Sequence, residues 1–309
     1  MDDDQALILH HFDASPFAEK IRLALGIKGL RWLSVDIPMV MPKPQLTALT
    51  GGYRKTPVLQ IGADIYCDTQ RIALELEQRF PLPSLFPDGR RAAALALTPW
   101  SDERFFRPGA ALSMGTNPDL PEAVLADRRA FFSFLDFNTL DDRIDHFFAQ
   151  FESQLALCND MLEECPGPYL AGHKPGWADV QAYFPFWMAR GNIAATETLV
   201  APFAALRAWE QRMAGVGHGE SRSVDPQFAL DIARRCESEV SPGIHTRHQS
   251  ERIAVGDEVS VAPDDYGQDP VCGKLVQLSD QSIAVRRNDP QVGEVVVHFP
   301  RSGFELRNS

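Results

Sequence analysis

The chain has 309 residues, 44% of them hydrophobic and 23% charged, a composition that excludes disordered and fibrous classes. Its length is enough for about two to three domains with sizeable cores. A net charge of -12, spread along the chain rather than gathered in one arm, repels phosphate backbones and anionic lipids, which argues against a broad nucleic-acid or membrane footprint.

The first 80 residues alternate strand and helix signals. Ala6 to Phe12 is a short apolar run suited to a buried strand. Asp13-Ala14-Ser15-Pro16 reads as a loop ending in a helix start, because proline is tolerated in a first helical turn. Phe17, Ile21, Leu23, Ala24, Leu25 and Ile27 carry that helix and Gly29 closes it. Arg31 to Ile37 is a second strand, so this β-α-β order predicts a parallel pair. Pro38, Pro42 and Pro44 leave room for at most a short helix. Pro57 to Ile61 and Ile65 to Cys67, joined by Gly62-Ala63-Asp64, predict a hairpin. Asp68 or Thr69 can cap the helix that runs on to Phe80.

From about residue 90 to 236 the period is helical. Ala92–Leu97, Val124–Leu135, Ile144–Leu162, Val180–Met188, Phe203–Met213 and Pro226–Cys236 are the candidate helices, separated by breaks rich in Pro and Gly. Beyond Pro242 short alternating strands follow, at Val255–Val261, Lys274–Leu278, Ser282–Arg286 and Glu294–Phe299. Their spacing predicts a small all-β module over 250–309, sized like an SH3-like barrel. The five cysteines show no metal-ligand spacing, and no apolar run approaches the roughly 20 residues of a membrane span. The start, Met1-Asp2-Asp3-Asp4, is acidic and unlike a signal peptide, which favours a reducing cytoplasm.

Four segments in order, Ser15-Pro16-Phe17-Ala18-Glu19-Lys20-Ile21-Arg22-Leu23, Thr56-Pro57-Val58-Leu59, Asp68-Thr69 and Tyr169 to Asp179, resemble the motifs of the cytosolic glutathione S-transferases, with a serine-type, omega-like active-site turn. The resemblance covers roughly residues 5–215. It implies an α/β thioredoxin-like glutathione-binding domain over 1–85 and an all-α domain over 90–240, leaving the small β module unexplained. Two positions depart from the pattern: Thr56 stands where valine is usual, and Gly176 where Ser or Thr usually caps a helix.

The resemblance also implies roles. Ser15 is the catalytic candidate, a hydroxyl donor that favours the glutathione thiolate, since a thiol of pKa about 8.5 is mostly protonated at neutral pH. Phe17, Lys43, Thr56, Pro57, Asp68 and Thr69 are the glutathione-binding candidates. A cis bond before Pro57 would turn the Thr56 backbone toward glutathione's cysteinyl unit. Asp68 and Thr69 would receive the γ-glutamyl end. Lys43 would receive the glycyl carboxylate, with Lys55 a competing cation. Phe12, Phe17, Trp100, Phe105, Phe106 and Trp187 could wall an apolar electrophile pocket.

Read alone, several of these residues have structural explanations. Ser15 and Asp68-Thr69 are ordinary helix caps. Pro57 suits the start of an edge strand with a trans bond. Both lysines suit a solvated surface, and Cys67 a buried strand end. His10 and His11 read as packed or rim residues. The functional expectation is thus a homodimeric, glutathione-dependent transferase acting on an electrophilic apolar substrate, with no nucleic-acid or membrane partner and no metal. Glutathione-dependent disulfide exchange is weaker, because Ser15 cannot form a mixed disulfide. A non-catalytic binding or regulatory protein on the same fold is the reading from a different class.

Overall fold

The computed structural model describes residues 3–246 and 253–308; Met1, Asp2 and the expected start of the β module at residue 250 lie outside these residues. In chain order the first elements are β1 (Ile8–His11), α1 (Pro16–Ile27), β2 (Arg31–Asp36), α2 (Pro44–Thr50), β3 (Val58–Ile61), β4 (Asp64–Cys67) and α3 (Thr69–Arg79). The helical stretch holds α4 (Arg91–Ala96), a π-helical turn at Trp100–Phe105, α5 (Phe106–Gly115), α6 (Glu122–Phe131), α7 (Ile144–Glu164), α8 (Trp177–Asn192), α9 (Thr196–Val200) and α10 (Ala204–Ala214). A short strand β5 (Glu220–Ser223) and α11 (Pro226–Arg235) follow. The chain ends with β6 (Gly243–His245), β7 (Glu258–Pro263), β8 (Val271–Ser279), β9 (Ser282–Asp289), β10 (Gly293–Pro300) and β11 (Phe304–Asn308). The expected elements are therefore present, and α5, α9, β5, β6 and β11 are additions that the sequence pattern did not reveal. No described helix is long and apolar enough to cross a membrane.

Close contacts divide the chain into two compact units, one of residues 1–13, 31–75 and 221–309, the other of residues 14–30 and 76–220. The first unit is built on a sheet of order β11-β7-β8-β9-β10-β4-β3-β1-β2-β5, with β6 beside β8. The thioredoxin-like part is β1 parallel to β2 and antiparallel to β3, with β3–β4 as the expected hairpin. The C-terminal strands do not close into a barrel. They run as an open antiparallel path, and β10 pairs in parallel with β4 through Val296↔Asp64, Val297↔Ile65 and His298↔Tyr66. The SH3-like expectation therefore finds no support. Short strands at regular spacing suit a closed barrel and an extension of an existing sheet equally well.

The β4–β10 pairing explains the composition of β10. With β9 on one side and β4 on the other it is an interior strand, and Val295 to Phe299 are buried without alternation. One hydrophobic cluster then unites Ile8, Val35, Leu49 and Ile65 with Ile232, Val259, Leu275, Val285, Val297 and Phe304.

The pairing also buries a carboxylate. Asp64, 2% exposed, accepts hydrogen bonds from His298 Nε2 at 2.7 Å, Ser238 Oγ at 2.6 Å and the Glu239 N–H at 2.8 Å. The His298 ring stacks on Tyr66, with centroids 4.5 Å apart. Burial alone would raise the Asp64 pKa, but these donors outweigh it and hold the carboxyl below its usual value.

The second unit is helical. α8 is buried nearly all round and packs against α1, α4 and α5, while α7 packs against α5 and α10. Its buried carboxylate is Asp179, which accepts from the backbone N–H groups of Leu170 (2.7 Å), Ala171 (3.1 Å) and Gly176 (3.1 Å) and from Trp209 Nε1 (2.8 Å). The bond to Gly176 runs from the third residue of α8 back to the residue before the helix, as in a capping box. Gly176 departs from Ser or Thr for lack of room: a Cβ there would meet Pro87 Cδ at 2.7 Å, Ala171 Cβ at 2.9 Å and the Leu85 carbonyl oxygen at 2.9 Å.

Asp64→Ala should lower stability by about 3 kcal/mol in urea titrations near neutral pH, because three buried donors lose their acceptor. A depressed folded-state pKa makes this contribution full above the unfolded value of about 4, and it is lost as pH falls through the lower folded value. The gap between wild type and variant should accordingly close in acid; a gap of constant size would contradict the assignment.

Candidate functional site

The seven expected site residues divide between the two units. Ser15 and Phe17 belong to the helical unit; Lys43, Thr56, Pro57, Asp68 and Thr69 belong to the sheet unit.

In the helical unit Ser15 has extended backbone angles and stands immediately before Pro16, the first residue of α1. Its Oγ accepts a hydrogen bond from the Ala18 N–H at 3.2 Å, and its carbonyl accepts from Glu19 at 3.1 Å. Ser15 is therefore a genuine helix cap, buried to 3% exposure. The cap uses an oxygen lone pair, so the hydroxyl hydrogen is still able to donate. It also stands at the positive end of the α1 dipole.

Phe17 packs against Phe106 and Phe184, each with centroids 4.8 Å away, and Phe106 extends the cluster to Phe132 at 6.2 Å and Phe134 at 6.5 Å. Of the other aromatics considered as pocket walls, Trp100 and Phe105 form a separate group with Phe151. Trp187 lies under the Arg22 guanidinium at 5.6 Å.

Beneath Phe17 lies a buried ion pair that the motifs did not indicate. Lys20 is fully buried, with its Nζ 2.8 and 3.1 Å from the two carboxylate oxygens of Asp102. The ammonium also sits 4.5 Å from the Phe184 ring centre and 5.2 Å from that of Phe17. Ser101 Oγ donates to Asp102 at 2.7 Å, and Gln181 Nε2 donates to Thr98 Oγ1 at 2.6 Å. The sequence did hold a signal for Lys20. Phe17, Lys20, Ile21 and Ala24 share one helix face, so a lysine falls on the buried stripe. Asp102 had no such signal, because it lies in the π-helical turn, where helical spacing fails.

In the sheet unit Lys43 immediately precedes α2, is buried, and donates from Nζ to Thr56 Oγ1 at 3.0 Å. Its ammonium lies 5.5 Å from the Phe12 ring centre. The competing Lys55 turns elsewhere, to Asp265 Oδ1 at 2.5 Å and over Tyr266 at 4.2 Å. The Thr56-Pro57 bond is cis, as expected, and β3 starts one residue later with Val58 opposite His10. Asp68, rather than Thr69, precedes α3: its φ is +75°, its Oδ1 accepts from the Gln70 N–H at 2.8 Å, and its carbonyl accepts from Ile72 at 3.0 Å. Thr69 opens that helix and is buried.

The neighbouring titratable groups are poor catalysts. Burial, with help from Asp68, pushes the Cys67 thiol well above its usual range. Burial lowers the His10 pKa to about 4 against the opposing hydrogen bond to Gln60 at 2.9 Å, so its ring is neutral at physiological pH. His11 bonds Ser34 Oγ at 2.9 Å. All three are packed residues, as their positions suggested.

Lys20→Met should destabilise the protein by about 1–2 kcal/mol in urea titrations, because it leaves the partly buried Asp102 carboxylate with the Ser101 hydroxyl but without its cation. Combining it with Asp102→Asn should recover part of that loss, and strictly additive costs would show that the pair is not coupled.

Residues 9–84 match the family model for the N-terminal domain of glutathione S-transferases. A GST-like protein from Pseudomonas syringae is similar over almost the whole chain, with 35% identity, a TM-score of 0.80, and coverage of 99% of this chain and 100% of that one. A glutathione S-transferase from Rhodospirillum rubrum shares the fold at 21% identity and a TM-score of 0.53, covering 76% of this chain and 94% of its own. Glutathione S-transferase III in its apo form does so at 16% identity and 0.51, covering 77% and 100%. No curated protein matches the sequence significantly. The full-length likeness to the Pseudomonas protein, together with the matched N-terminal domain, places the chain in the glutathione S-transferase family.

Proposed function

We propose that the protein is a glutathione transferase in which Ser15 stabilises the glutathione thiolate for attack on an electrophilic apolar substrate. The observation that carries this reading is the state of Ser15. Its oxygen is engaged by Ala18 while its hydrogen can donate, at a helix start that favours negative charge. The thiol proton passes to solvent, the Ser15 hydroxyl donates to the sulfur anion, and the sulfur then forms a C–S bond to the electrophilic carbon while, in a chlorodinitrobenzene-type substrate, the C–Cl bond breaks and chloride leaves to solvent. Phe17 and Phe134, the half-buried rings of this aromatic cluster, supply apolar surface for that substrate.

Lys43, Thr56, Pro57, Asp68 and Thr69 hold glutathione in this proposal. The Lys43–Thr56 hydrogen bond and the engagement of Lys55 with Asp265 favour Lys43 as the cation for the glycyl carboxylate. The cis Thr56-Pro57 bond supports pairing of the Thr56 backbone with the cysteinyl unit. The enzyme acts as a cytoplasmic homodimer in the same reading. Disulfide exchange is disfavoured, because Cys67, the cysteine nearest these residues in sequence, is buried with its thiol pKa raised.

Ser15→Ala should reduce conjugation of glutathione to a chlorodinitrobenzene-type electrophile on the order of 100-fold, by analogy with the loss of one anion-stabilising donor. Ser15→Asp keeps a capping oxygen but introduces a charge that repels the thiolate, so it should fold and be equally inactive. Full activity in either variant would remove Ser15 from its role. In calorimetry, Lys43→Ala should weaken glutathione binding roughly tenfold while Lys55→Ala leaves it unchanged; the reverse order would transfer the contact to Lys55.

A further inference from the structure

The helix α2 has seven residues, under two turns, and a helix so short does not hold itself together in water. Its order therefore depends on what closes its ends. The carbonyls of the last turn find no partner further along the helix and need one from outside. The Gly51 N–H folds back onto the Thr47 carbonyl at 2.8 Å, in a left-handed conformation with φ of +79°. The next two carbonyls are met from far along the chain. Arg287 of β9 donates from Nη1 to the Ala48 carbonyl and, at 3.5 Å, to that of Leu49. A cation here also opposes the partial negative charge of the helix end.

Arg287 is itself held in place. Its Nη2 stands 3.3 Å from Asp289 Oδ2, and the side chain is largely buried. Its stem lies against Gly51, where a Cβ would meet Arg287 Nε at 2.7 Å and Cδ at 3.0 Å. The opposite end of α2, about 10 Å away, is Lys43. The Lys43 carbonyl accepts from the Thr47 N–H at 2.8 Å, while its Nζ donates to Thr56 Oγ1 at 3.0 Å. Thr47 thus joins the two ends, its N–H on Lys43 and its carbonyl on Gly51. The tail also reaches this segment through Asp265 and Lys55, but that pair is partly exposed and screened by solvent. Arg287 is the buried contact.

We infer that Arg287 is a positioning residue for glutathione: by closing the last turn of α2 it holds Lys43 and Thr56 in the arrangement that receives the glycyl carboxylate. The inference rests on the assignment of those two residues to glutathione, and it adds a residue outside the matched N-terminal domain. Arg287 touches no substrate in this role. Its effect falls on affinity and not on the chemical step. An α2 that must be ordered at the moment of binding weakens apparent affinity by the fraction of molecules already ordered. The C-terminal strands thereby acquire a part in substrate binding.

The test compares the full-length protein with Arg287→Met, Arg287→Lys and Lys43→Ala by calorimetry with glutathione, by conjugation kinetics and by hydrogen exchange. Arg287→Met keeps the apolar stem and removes the donors. It should raise the Kd and KM for glutathione about tenfold, the factor expected if ordered α2 falls to roughly a tenth of the population. At saturating glutathione, kcat and the KM for a chlorodinitrobenzene-type electrophile should stay within about twofold. A merely structural role would do the reverse, lowering kcat through the active fraction and leaving the KM for glutathione in place. Exchange should quicken in α2 and not in β10. Arg287→Lys, which keeps the charge but not the fork, should lie between, with affinity lowered about threefold. Added to Lys43→Ala, Arg287→Met should cost less than about a further threefold, because its effect passes through Lys43. Unchanged glutathione affinity in Arg287→Met, or in Arg287→Lys where the methionine variant does not fold, would overturn the inference, as would fully additive losses. Weakened binding in Lys43→Ala would then leave the glutathione assignment standing. Unchanged affinity in Lys43→Ala, or a wild type that takes up no glutathione, would be the failure of the assignment itself, and the inference would fall with it.

Discussion

The parallel pairing of β10 with β4 is the contact on which the sheet unit depends. Without it β4 would be an edge strand, with a row of unpaired backbone groups along one side. With it, β4 lies inside the sheet, and the C-terminal strands share one hydrophobic cluster with the first strands of the chain. Asp64 locks the junction by accepting from His298 on β10 and from the Ser238–Glu239 segment. The consequence reaches the candidate site, because β4 runs directly into Asp68 and Thr69. The tail therefore braces the strand that presents two of the residues proposed to bind glutathione.

Buried charges organise both units, and each is satisfied in its own way. Asp64 and Asp179 gather N–H and O–H donors around one carboxylate, tying together segments distant in sequence. Lys20 instead combines an ion pair with aromatic rings. Such groups are costly to bury alone and stable only when their partners are complete. They hold loops in place as much as they hold helices and strands. Asp179, for instance, fixes the Leu170–Ala171 turn.

Ser15 shows that capping and chemistry need not compete. The cap consumes a lone pair on Oγ, while the proposed donation uses the hydrogen. The two explanations of this serine are therefore compatible, and helix capping is what holds the hydroxyl in one place. Asp68 is similar: its carboxylate receives the Gln70 N–H in a backbone conformation that few residues other than glycine adopt.

Local chemistry by itself determined much of this protein. The hairpin, the Ser15-Pro16 helix start and the helical period of the middle stretch were legible, because each depends on residues a few positions apart. The motif order also carried the family and the position of the cis proline. The tertiary structure alone decided where the C-terminal strands belong, since alternation records that a strand has faces but not which strand will pair with it. It likewise took Lys55 to Asp265, far along the chain, and it brought Lys20 to Asp102. Each of those outcomes depends on a long-range contact, and a linear pattern holds only the short-range half of the information such a contact needs.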